Sequence, residues 1–257
     1  MIVKEFGDKS KPVIILLHGG GLSWWSWKVQ IEALQKEYFV VAPIIDGHGD
    51  AFDTDFVSIE SSAGQVVQYI EEKFCGHVFA ICGLSLGAQI TVEILSREAD
   101  ITEYALIESA LVCPIETLVK LTVPMFGLFF GFIKKRWFAK LQAKSMKLPD
   151  GMFRSYYTDT ARMTKESLIQ MTKSNGTYTM PAALCNTKAK VLILVGEKEL
   201  PVMKKSAKLL NGTIGSSSLI VMKKFEHGEI SLANPQQYIG LMKRFFEADR
   251  TEVSSIV

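Results

Sequence analysis

The sequence predicts an α/β fold in which helices cover both faces of a mainly parallel sheet. Short, wholly apolar runs recur along the chain, and segments with helical spacing separate them. This alternation stops between about Leu111 and Lys188 and then resumes. We therefore predict a core formed by residues 1–110 and 190–257, with residues 111–189 inserted as a helical cap.

The apolar runs are typical of strands that are buried on both faces of a sheet, because they are short and lack polar alternation. Val13–Leu17, with the sequence VIILL, is the clearest example. Ile2–Phe6 is predicted as an edge strand. The other predicted strands are Tyr38–Pro43, Val78–Cys82, Tyr104–Ile107, Val191–Val195 and Ser218–Met222.

The segments between these runs place apolar residues at helical spacing. In Ile59–Phe74, for example, Val66, Val67 and Ile70 fall on one side of a helix. Residues 111–189 are rich in Leu, Met, Phe, Lys and Gln, which indicates several more helices. The other predicted helices of the core are Trp27–Lys36, Leu86–Arg97, Val202–Leu210 and Pro235–Glu247.

The composition bounds the class of protein. The 257 residues suit one domain of moderate size, or one domain with an insertion. Hydrophobic residues make up 48% and charged residues 22%, which is typical of a folded globular protein. The net charge of +2 and the scattered basic residues give no reason to expect nucleic-acid binding.

The N-terminus and the cysteines bear on the compartment. The first segment, MIVKEFGDKSKP, contains no apolar run, so no secretory signal is predicted. Cys75, Cys82, Cys113 and Cys185 stand far apart, without the spacing of a metal site or a compact disulfide framework. We therefore expect free thiols and a cytoplasmic protein. The oligomeric state is left open.

The longest apolar stretch is Leu118–Ile133. It is shorter than the roughly 20 residues that a membrane-spanning helix needs. Lys120, Pro124, Gly127 and Gly131 also interrupt it. We therefore predict no stable membrane insertion.

The strongest chemical signal is the segment GLSLG at Gly83–Gly87, which fits the pattern G-x-S-x-G. An apolar strand precedes it and a helical pattern follows it, which is the context of a nucleophilic serine. Glycines on either side let the backbone turn sharply and leave the hydroxyl of Ser85 exposed. We predict Ser85 as the nucleophile. The alternative is a serine that only caps a helix.

A glycine loop, HGGG at His18–Gly21, follows the first buried strand. In such a loop, backbone N–H groups can face a ligand and stabilise the oxyanion of a tetrahedral intermediate. The alternative is a flexible turn without a chemical role. We assign His18 itself a structural role, because the glycines supply the donors.

A serine hydroxyl becomes a good nucleophile only when a base removes its proton, and an imidazole suits that task. The chain has four histidines, at His18, His48, His77 and His227. Only His227 lies late in the chain, in a loop after the final predicted strand. It is therefore the predicted general base.

A third residue should hold the imidazole in its productive tautomer and stabilise its charged form. Glu199 is the first candidate, because it follows the strand pattern VLILV. Glu197, two residues earlier, and Glu108, after the strand pattern YALI, are rivals. Glu226 is adjacent to the predicted base and is more typical of a solvated neighbour.

In chain order the motifs are HGGG, GHG at Gly47–Gly49, GLSLG, Glu199 and His227. This series resembles the α/β-hydrolase superfamily, in which serine, acid and histidine follow in that order. The resemblance covers nearly the whole chain and implies the α/β-hydrolase fold. It also implies that the N–H groups of Gly20 and Leu86 are the oxyanion donors, and that Gly47–Gly49 is a structural loop.

The resemblance has limits that bear on chemistry. Many relatives carry Asp at the position of Glu199. Glutamate offers the same carboxylate on a longer side chain. Epoxide hydrolases and haloalkane dehalogenases carry Asp where Ser85 stands, so their chemistry is not expected. No metal or organic cofactor is implied.

We expect a serine hydrolase that cleaves a small or medium apolar carboxylic ester through an acyl-enzyme, because the predicted cap is apolar. Some side chains of Leu118–Ala139, with Phe129, Phe130 and Phe132 as candidates, are interpreted as lining a pocket over Ser85. One alternative is that they only pack the cap onto the core. Another is that the stretch touches a membrane surface with its basic cluster, Lys134–Arg136, although Pro124 and the two glycines are expected to interrupt a long amphipathic helix. Three alternatives stay open. They are a carbon–carbon bond hydrolase, an acyltransferase with the same three residues, and a ligand-binding protein without turnover.

Overall fold

The structure, a computed structural model, describes residues 1–247. This part contains one sheet of seven strands, at the positions that the apolar runs predict. Their bounds differ from the predicted ones by no more than about two residues, which is the usual ambiguity of strand ends. The strands are β1 (Ile2–Phe6), β2 (Val13–Leu17), β3 (Phe39–Ile44), β4 (Val78–Leu84), β5 (Thr102–Glu108), β6 (Lys190–Gly196) and β7 (Ser217–Met222).

The strands lie in the order β1-β3-β2-β4-β5-β6-β7. β1 is antiparallel to β3, and all other neighbouring strands are parallel. Leu17 pairs with Gly83, and Glu108 pairs with Leu194. The carboxyl ends of β2, β4, β5 and β6 therefore lie side by side at one edge of the sheet, and the loops that follow these strands meet there.

Helices cover both faces of the sheet. Helices α2, α3 and α8 pack their buried side chains on one face, whereas α1, α9 and α10 pack on the other. This arrangement confirms the predicted fold class. The helices are α1 (Lys28–Leu34), α2 (Ile59–Phe74), α3 (Leu86–Arg97), α4 (Glu116–Ile133), α5 (Arg136–Ser145), α6 (Phe153–Arg162), α7 (Lys165–Thr177), α8 (Pro201–Thr213), α9 (Glu229–Ala233) and α10 (Pro235–Glu247).

Helices α4 to α7 all lie between β5 and β6, in the stretch where the strand–helix alternation stops. Hydrogen bonds fix them to the rest of the chain. The indole N–H of Trp25 donates to Asp159 at 2.6 Å, and the N–H of Phe56 donates to the hydroxyl of Ser167 at 3.1 Å. The residue numbers at which the cap begins and ends stay a prediction.

Helix α4 runs unbroken through Pro124, Gly127 and Gly131, so the expectation that these residues interrupt a long helix is wrong. A proline removes one hydrogen bond from a helix interior. The buried Val119, before the proline, packs against Gly176 of α7, and the buried Ile133, after it, packs with Leu168 of the same helix. Among the described residues, α4 is the one helix long and apolar enough to cross a membrane by length and composition. Its mean hydropathy is 1.5, and 11% of it is buried.

Candidate active site

Ser85 lies on the sharp turn between β4 and α3. Its φ of 53° and ψ of −110° are strained for a residue other than glycine. The N–H of Ser85 donates to the carbonyl of Glu108 on β5 at 2.8 Å, which fixes the turn against the sheet. The residue is partly exposed at the carboxyl edge of the sheet. The strand–turn–helix context that a nucleophilic serine requires is therefore present.

Two glycines permit this turn, because the backbone passes very close to them. A Cβ atom at Gly83 would lie 2.3 Å from the carbonyl oxygen of Gly87. A Cβ atom at Gly87 would lie 2.2 Å from the carbonyl oxygen of Leu17. Since Cβ atoms essentially never approach other atoms closer than 3.0 Å, only glycine fits at either position. Helix α3 thus begins directly against the end of β2.

The three residues predicted for catalysis are joined by hydrogen bonds. Nε2 of His227, in the loop after β7, lies 2.9 Å from Oγ of Ser85. Nδ1 of the same ring lies 2.8 Å from Oε2 of Glu199, in the loop after β6. An ionised carboxylate only accepts hydrogen bonds, so Nδ1 carries the proton and Nε2 accepts from the serine hydroxyl. In this geometry the imidazole can take the proton of Ser85.

Glu199 is held as a buried anion. Its side chain is fully buried, whereas that of His227 is about half exposed. Burial alone would raise the pKa of Glu199. The hydrogen bond from His227, and the attraction of its ring when that ring is protonated, outweigh this effect, with further donation from the N–H of Gly196 and the hydroxyl of Ser109, each at 2.7 Å. The pKa of Glu199 is therefore lowered, and the carboxylate can stabilise an imidazolium.

Two of the rival carboxylates are engaged elsewhere. Glu197 accepts a hydrogen bond from the N–H of Lys224 at 2.8 Å. Glu226 forms an ion pair with Lys147 at 3.5 Å. Neither contact orients the imidazole, so the geometry favours Glu199 over both as the orienting acid.

The loop after β2 is ordered by the buried ring of His18. Nε2 of His18 accepts the N–H of Ile45 at 3.1 Å, so the proton of the neutral ring lies on Nδ1 and is donated to the carbonyl of Gly19 at 2.9 Å. Burial, together with the neighbouring His48, lowers the pKa of His18 to about 3. The ring therefore stays neutral near pH 7, and its contacts agree with the structural role expected for it.

Gly20 and Leu86 both line a cavity that contains Ser85. Leu86 is the first residue of α3, so its N–H has no acceptor within the helix. A Cβ atom at Gly20 would lie 3.8 Å from the side chain of Leu86 and 2.9 Å from Sδ of Met171 on α7. The glycine loop is therefore packed between the start of α3 and a helix of the inserted segment.

Two cavities meet at Ser85 and Gly20. The larger cavity has a volume of about 260 Å³, and most of its wall comes from α4 and α7, where Val119 and Met171 are apolar and Thr122 and Asn175 are polar. The smaller cavity has a volume of about 150 Å³ and includes His227. The hydroxyl of Ser85 is thus accessible from two sides, which suits a substrate with groups on both sides of a reacting carbonyl.

The residues of α4 that line the larger cavity lie near its start and extend to Thr122. Phe129, Phe130 and Phe132 were interpreted as pocket residues, but they lie about two turns or more further along the helix. Phe129 and Phe132 are nearly half exposed, and Phe130 packs beside Ile133 in a separate cluster. The three phenylalanines are therefore wrong as pocket candidates, whereas Leu118, Val119 and Thr122 of the same stretch do line the cavity beside Ser85.

Comparison with known families agrees with this geometry. Residues 14–206, which are most of the chain, match the model of the alpha/beta hydrolase family. The chain belongs to the alpha/beta hydrolase family. The resemblance noted from the order of the sequence motifs is thereby confirmed.

Solved structures of other hydrolases superpose on nearly the whole chain. A carboxylesterase from Nitrososphaera gargenis matches with a TM-score of 0.80 at 16% identity, over 98% of this chain and 96% of the other. An esterase from Exiguobacterium antarcticum matches with a TM-score of 0.79 at 14% identity, over 95% and 94%. The enol-lactonase from Burkholderia xenovorans LB400 matches with a TM-score of 0.77 at 16% identity, over 95% of each chain. At these identities the likeness shows a shared fold.

Among curated proteins, human epoxide hydrolase 4 is 41% identical over 44 residues, which are 17% of this chain and 12% of that protein. The mouse protein of the same name is 40% identical over 45 residues, with 18% and 12% covered. The matched segment is therefore about an eighth of the length of either relative.

The sequence reasoning missed parts of the site. Ser109, whose hydroxyl donates to Glu199, lies two residues after the predicted strand YALI, and the rule that site residues follow strand ends could have found it. Met171 and Asn175 of α7 carry no comparable signal. The amide of Asn175 donates to the buried Gln89 of α3 at 2.7 Å, which fixes α7 beside the turn at Ser85.

Glu108, the last residue of β5, is buried without the partners that an ionised carboxylate needs. Oε1 accepts the N–H of Ser231 at 3.4 Å, and Oε2 has no hydrogen-bond partner among residues 1–247. Burial raises the pKa of Glu108 to about 7, although Ser231 and the charge of His227 oppose this effect. A carboxyl that is partly protonated near pH 7 is less suited than Glu199 to orient an imidazole.

We expect Glu108→Gln to make the stability of this chain less dependent on pH. The pKa of this carboxyl is about 7 in the folded chain, against an ordinary value of 4.5. The folded state therefore holds a proton that the unfolded state releases between these values. The free energy of unfolding should fall as pH rises from about 4.5 to 7, by up to roughly 3 kcal/mol, and glutamine should remove that fall.

Urea unfolding of both chains at about pH 5 and about pH 8 measures this effect. The variant should gain stability relative to the parent at the higher pH. A difference between the two chains that is the same at both pH values would contradict the prediction.

Proposed function

We propose that this hydrolase cleaves carboxylic esters of small or medium apolar acids through an acyl-enzyme. The observation that carries the proposal is the chain of hydrogen bonds from Glu199 through His227 to Ser85, with distances of 2.8 and 2.9 Å. This arrangement activates a serine hydroxyl for attack on a carbonyl. The mainly apolar lining of the larger cavity supports the choice of an apolar acid.

In the first step, Oγ of Ser85 attacks the ester carbonyl carbon while Nε2 of His227 takes the hydroxyl proton. The carbonyl electrons move onto oxygen, and the N–H groups of Gly20 and Leu86 are proposed to hold this oxyanion. Glu199 stabilises the imidazolium that forms. The carbon–oxygen bond to the alcohol then breaks, and the imidazolium gives its proton to the leaving oxygen.

In the second step, water replaces the alcohol. His227 takes a proton from the water, and the hydroxide attacks the carbonyl of the acyl-enzyme. The bond from that carbonyl to Oγ of Ser85 breaks, and the imidazolium returns its proton to the serine. The products are one acid and one alcohol, and the enzyme is restored.

The two cavities suit the two halves of an ester. The leaving alcohol must lie near Nε2 of His227, because that atom protonates it, and His227 lines the smaller cavity. The acyl chain is then assigned to the larger cavity, beside Leu86 and Val119. A volume of about 260 Å³ corresponds to roughly nine water-sized groups, which fits a medium acyl chain.

Epoxide opening is the activity that the name of the matched curated relatives suggests. The nucleophile position of this chain holds Ser85, whereas epoxide hydrolases of the superfamily carry Asp there. Attack of a carboxylate on an epoxide carbon gives an ester, which water can hydrolyse. Attack of a serine hydroxyl would give an ether, which has no carbonyl for water to attack. Serine therefore favours acyl substrates.

We expect kcat/KM for chromogenic esters to rise from acetyl to about hexanoyl and then to level off or fall. Each methylene that enters the larger cavity contributes up to about 0.8 kcal/mol, which is roughly threefold to fourfold per carbon. A screen of acyl lengths, with Ser85→Ala as the blank, measures this. Equal kcat/KM at all lengths would contradict an apolar acyl pocket.

A matched pair of variants locates that pocket. Thr122→Phe adds bulk to the larger cavity and should move the optimum toward shorter acyl chains. Thr117→Phe makes the same change at an exposed position of the same helix and should leave the optimum in place. Stoichiometric retention of a ligand without turnover would instead indicate a binding protein. Product transfer to an added alcohol in preference to water would indicate an acyltransferase.

A further inference from the structure

An unusual share of exposed apolar surface lies on α4 and α5. Single exposed apolar side chains are normal, but a contiguous group of them marks an interaction site. Fourteen large hydrophobic residues are exposed in the described part of the chain, and eight of them fall within 24 consecutive positions. We call these eight the apolar face: Leu118, Leu121, Met125, Leu128, Phe129, Phe132, Trp137 and Leu141.

The apolar face is continuous across the two helices. Its members on α4 recur every three or four residues, which places them on one side of the helix. The ring centroids of Phe129 and Phe132 lie 5.9 Å apart. The ring centroid of Phe132 lies 6.1 Å from that of Trp137, which is at the start of α5. The other side of α4 carries Val119 and Ile133, which are buried. One side of α4 therefore packs on the protein while the other faces outward.

Positive charge borders this surface. Six basic residues and no acidic residue lie between positions 134 and 147, although the whole chain has a net charge of only +2. On α5, three of them recur every four residues, one position before Trp137 and Leu141, so they lie about 100° around the helix from the apolar residues. We call the six the basic stripe: Lys134, Lys135, Arg136, Lys140, Lys144 and Lys147.

We propose that the apolar face docks on an anionic lipid surface, with the basic stripe against the lipid head groups. Apolar side chains beside lysine and arginine are the composition of helices that lie in a membrane interface. Leu118 belongs both to the apolar face and to the wall of the larger cavity. Docking would therefore place the cavity mouth at the lipid surface. The inference that an ester dissolved in the lipid reaches Ser85 depends on the proposed function. The inference that the apolar face docks on lipid does not depend on it.

Packing of α4 argues for docking rather than spanning. The backbone of α7 approaches α4 so closely that a Cβ atom at Gly176 would lie 2.3 Å from Val119. The N–H of Ile115, at the start of α4, donates to the carbonyl of Gly176 at 2.8 Å. Because one side of α4 is fixed to the protein in this way, only its outer side is available to lipid.

The charges also distinguish lipid from a second copy of the chain. A symmetric dimer through the apolar face would bring the same patch of both copies together. The two basic stripes would then lie near one another and repel, since among the described residues only Lys147 of the stripe pairs with a carboxylate, that of Glu226. An anionic lipid surface instead complements the stripe.

The test uses the full chain with Ser85→Ala, so that binding is measured without turnover. It is mixed with vesicles of phosphatidylcholine alone, or with vesicles of equal parts phosphatidylcholine and phosphatidylserine, and the bound fraction is measured by flotation. We expect binding to the anionic vesicles and a loss of binding as salt is added, because salt screens exposed charges.

Two variants and one control separate the contributions. Lys140→Glu with Lys144→Glu should weaken binding to anionic vesicles by roughly 30-fold or more. Leu121→Gln with Leu128→Gln should abolish binding without unfolding the chain, because both side chains are exposed. The control carries Lys205→Glu, Lys208→Glu and Leu209→Gln, which make the same kinds of change on the exposed side of α8. It should bind as the parent does.

Equal binding to neutral and anionic vesicles, or no binding to either, would overturn the proposal. So would a dimer, seen by sedimentation without vesicles, that Leu121→Gln with Leu128→Gln dissociates. These outcomes are independent of the proposed function. Hydrolysis of a water-soluble ester by the unaltered chain tests that function separately.

Discussion

Replacement of His227 by alanine is expected to lower kcat by about 10³-fold or more. Nε2 of this ring is the atom that lies 2.9 Å from Oγ of Ser85, so its removal leaves no base in contact with the hydroxyl. Ser85→Ala should cause a loss of similar size. The double variant should be little worse than either single one, because residues that act as a unit do not contribute additively.

Steady-state hydrolysis of a soluble chromogenic ester measures this loss, and covalent labelling provides a second readout. A fluorophosphonate should label Ser85 in the unaltered chain, because an activated serine attacks phosphorus as it attacks a carbonyl. His227→Ala should label far more slowly. Mass spectrometry that found the label on another serine of the folded protein would refute the assignment.

The orienting acid should matter less than the base. Glu199→Gln is expected to lower kcat by about 10²-fold or more, but by less than His227→Ala does, because an amide can stabilise the wrong tautomer of the imidazole while the base stays present. Glu197→Gln, two residues away and bonded to Lys224 instead, is the matched control and should stay near normal. If Glu108→Gln were as damaging as His227→Ala while Glu199→Gln was near normal, Glu108 would be the acid.

Gly87→Ala is expected to lower the free energy of unfolding by about 4 kcal/mol or more, or to prevent folding. The new Cβ atom would lie 2.2 Å from the carbonyl oxygen of Leu17 and 2.7 Å from that of His18. Both are backbone atoms at the end of β2, in the middle of the sheet. Relief of the clash therefore requires α3 to move away from the sheet, which would also displace Ser85.

Gly212→Ala is the matched control, because the same substitution on α8 meets no atom within 4 Å. An alanine inside a helix should stabilise the chain by up to about 1 kcal/mol relative to glycine. Urea unfolding of the two variants beside the parent compares them directly. Similar stabilities for Gly87→Ala and the parent would contradict the prediction, because they would mean that the backbone at the end of β2 can move away from the new Cβ atom at little cost.

The parts of the fold that could be predicted are those that local sequence determines. A strand such as Val13–Leu17 is buried on both faces, so every residue in it is apolar and the pattern is unambiguous. The turn at Ser85 could be predicted for a similar reason, since the close approach of the backbone requires glycine at Gly83 and Gly87. The residues next to Ser85 in the sequence are therefore sufficient to predict this turn.

The errors concern contacts between residues that are distant in sequence. Pro124 predicted an interruption, but packing of α4 against α7 retains the helix. The three phenylalanines that follow it were assigned to the pocket because they are apolar, and only the placement of the helix shows which side faces Ser85. The bond from Asn175 to Gln89 joins residues 86 positions apart, and no local pattern indicates it.

The positive φ of Ser85 has a consequence for the history of this chain. Backbone conformations of this kind are unfavourable by about 1–3 kcal/mol for residues other than glycine, and glycine at this position would relieve that burden. The same change would remove the hydroxyl. At this residue, the substitution that would increase the stability of the fold is also the one that would remove the hydroxyl. A homologue that does not need the hydroxyl could therefore gain thermal stability by carrying glycine at this position. A homologue that needs the hydroxyl could gain thermal stability only through substitutions at other positions.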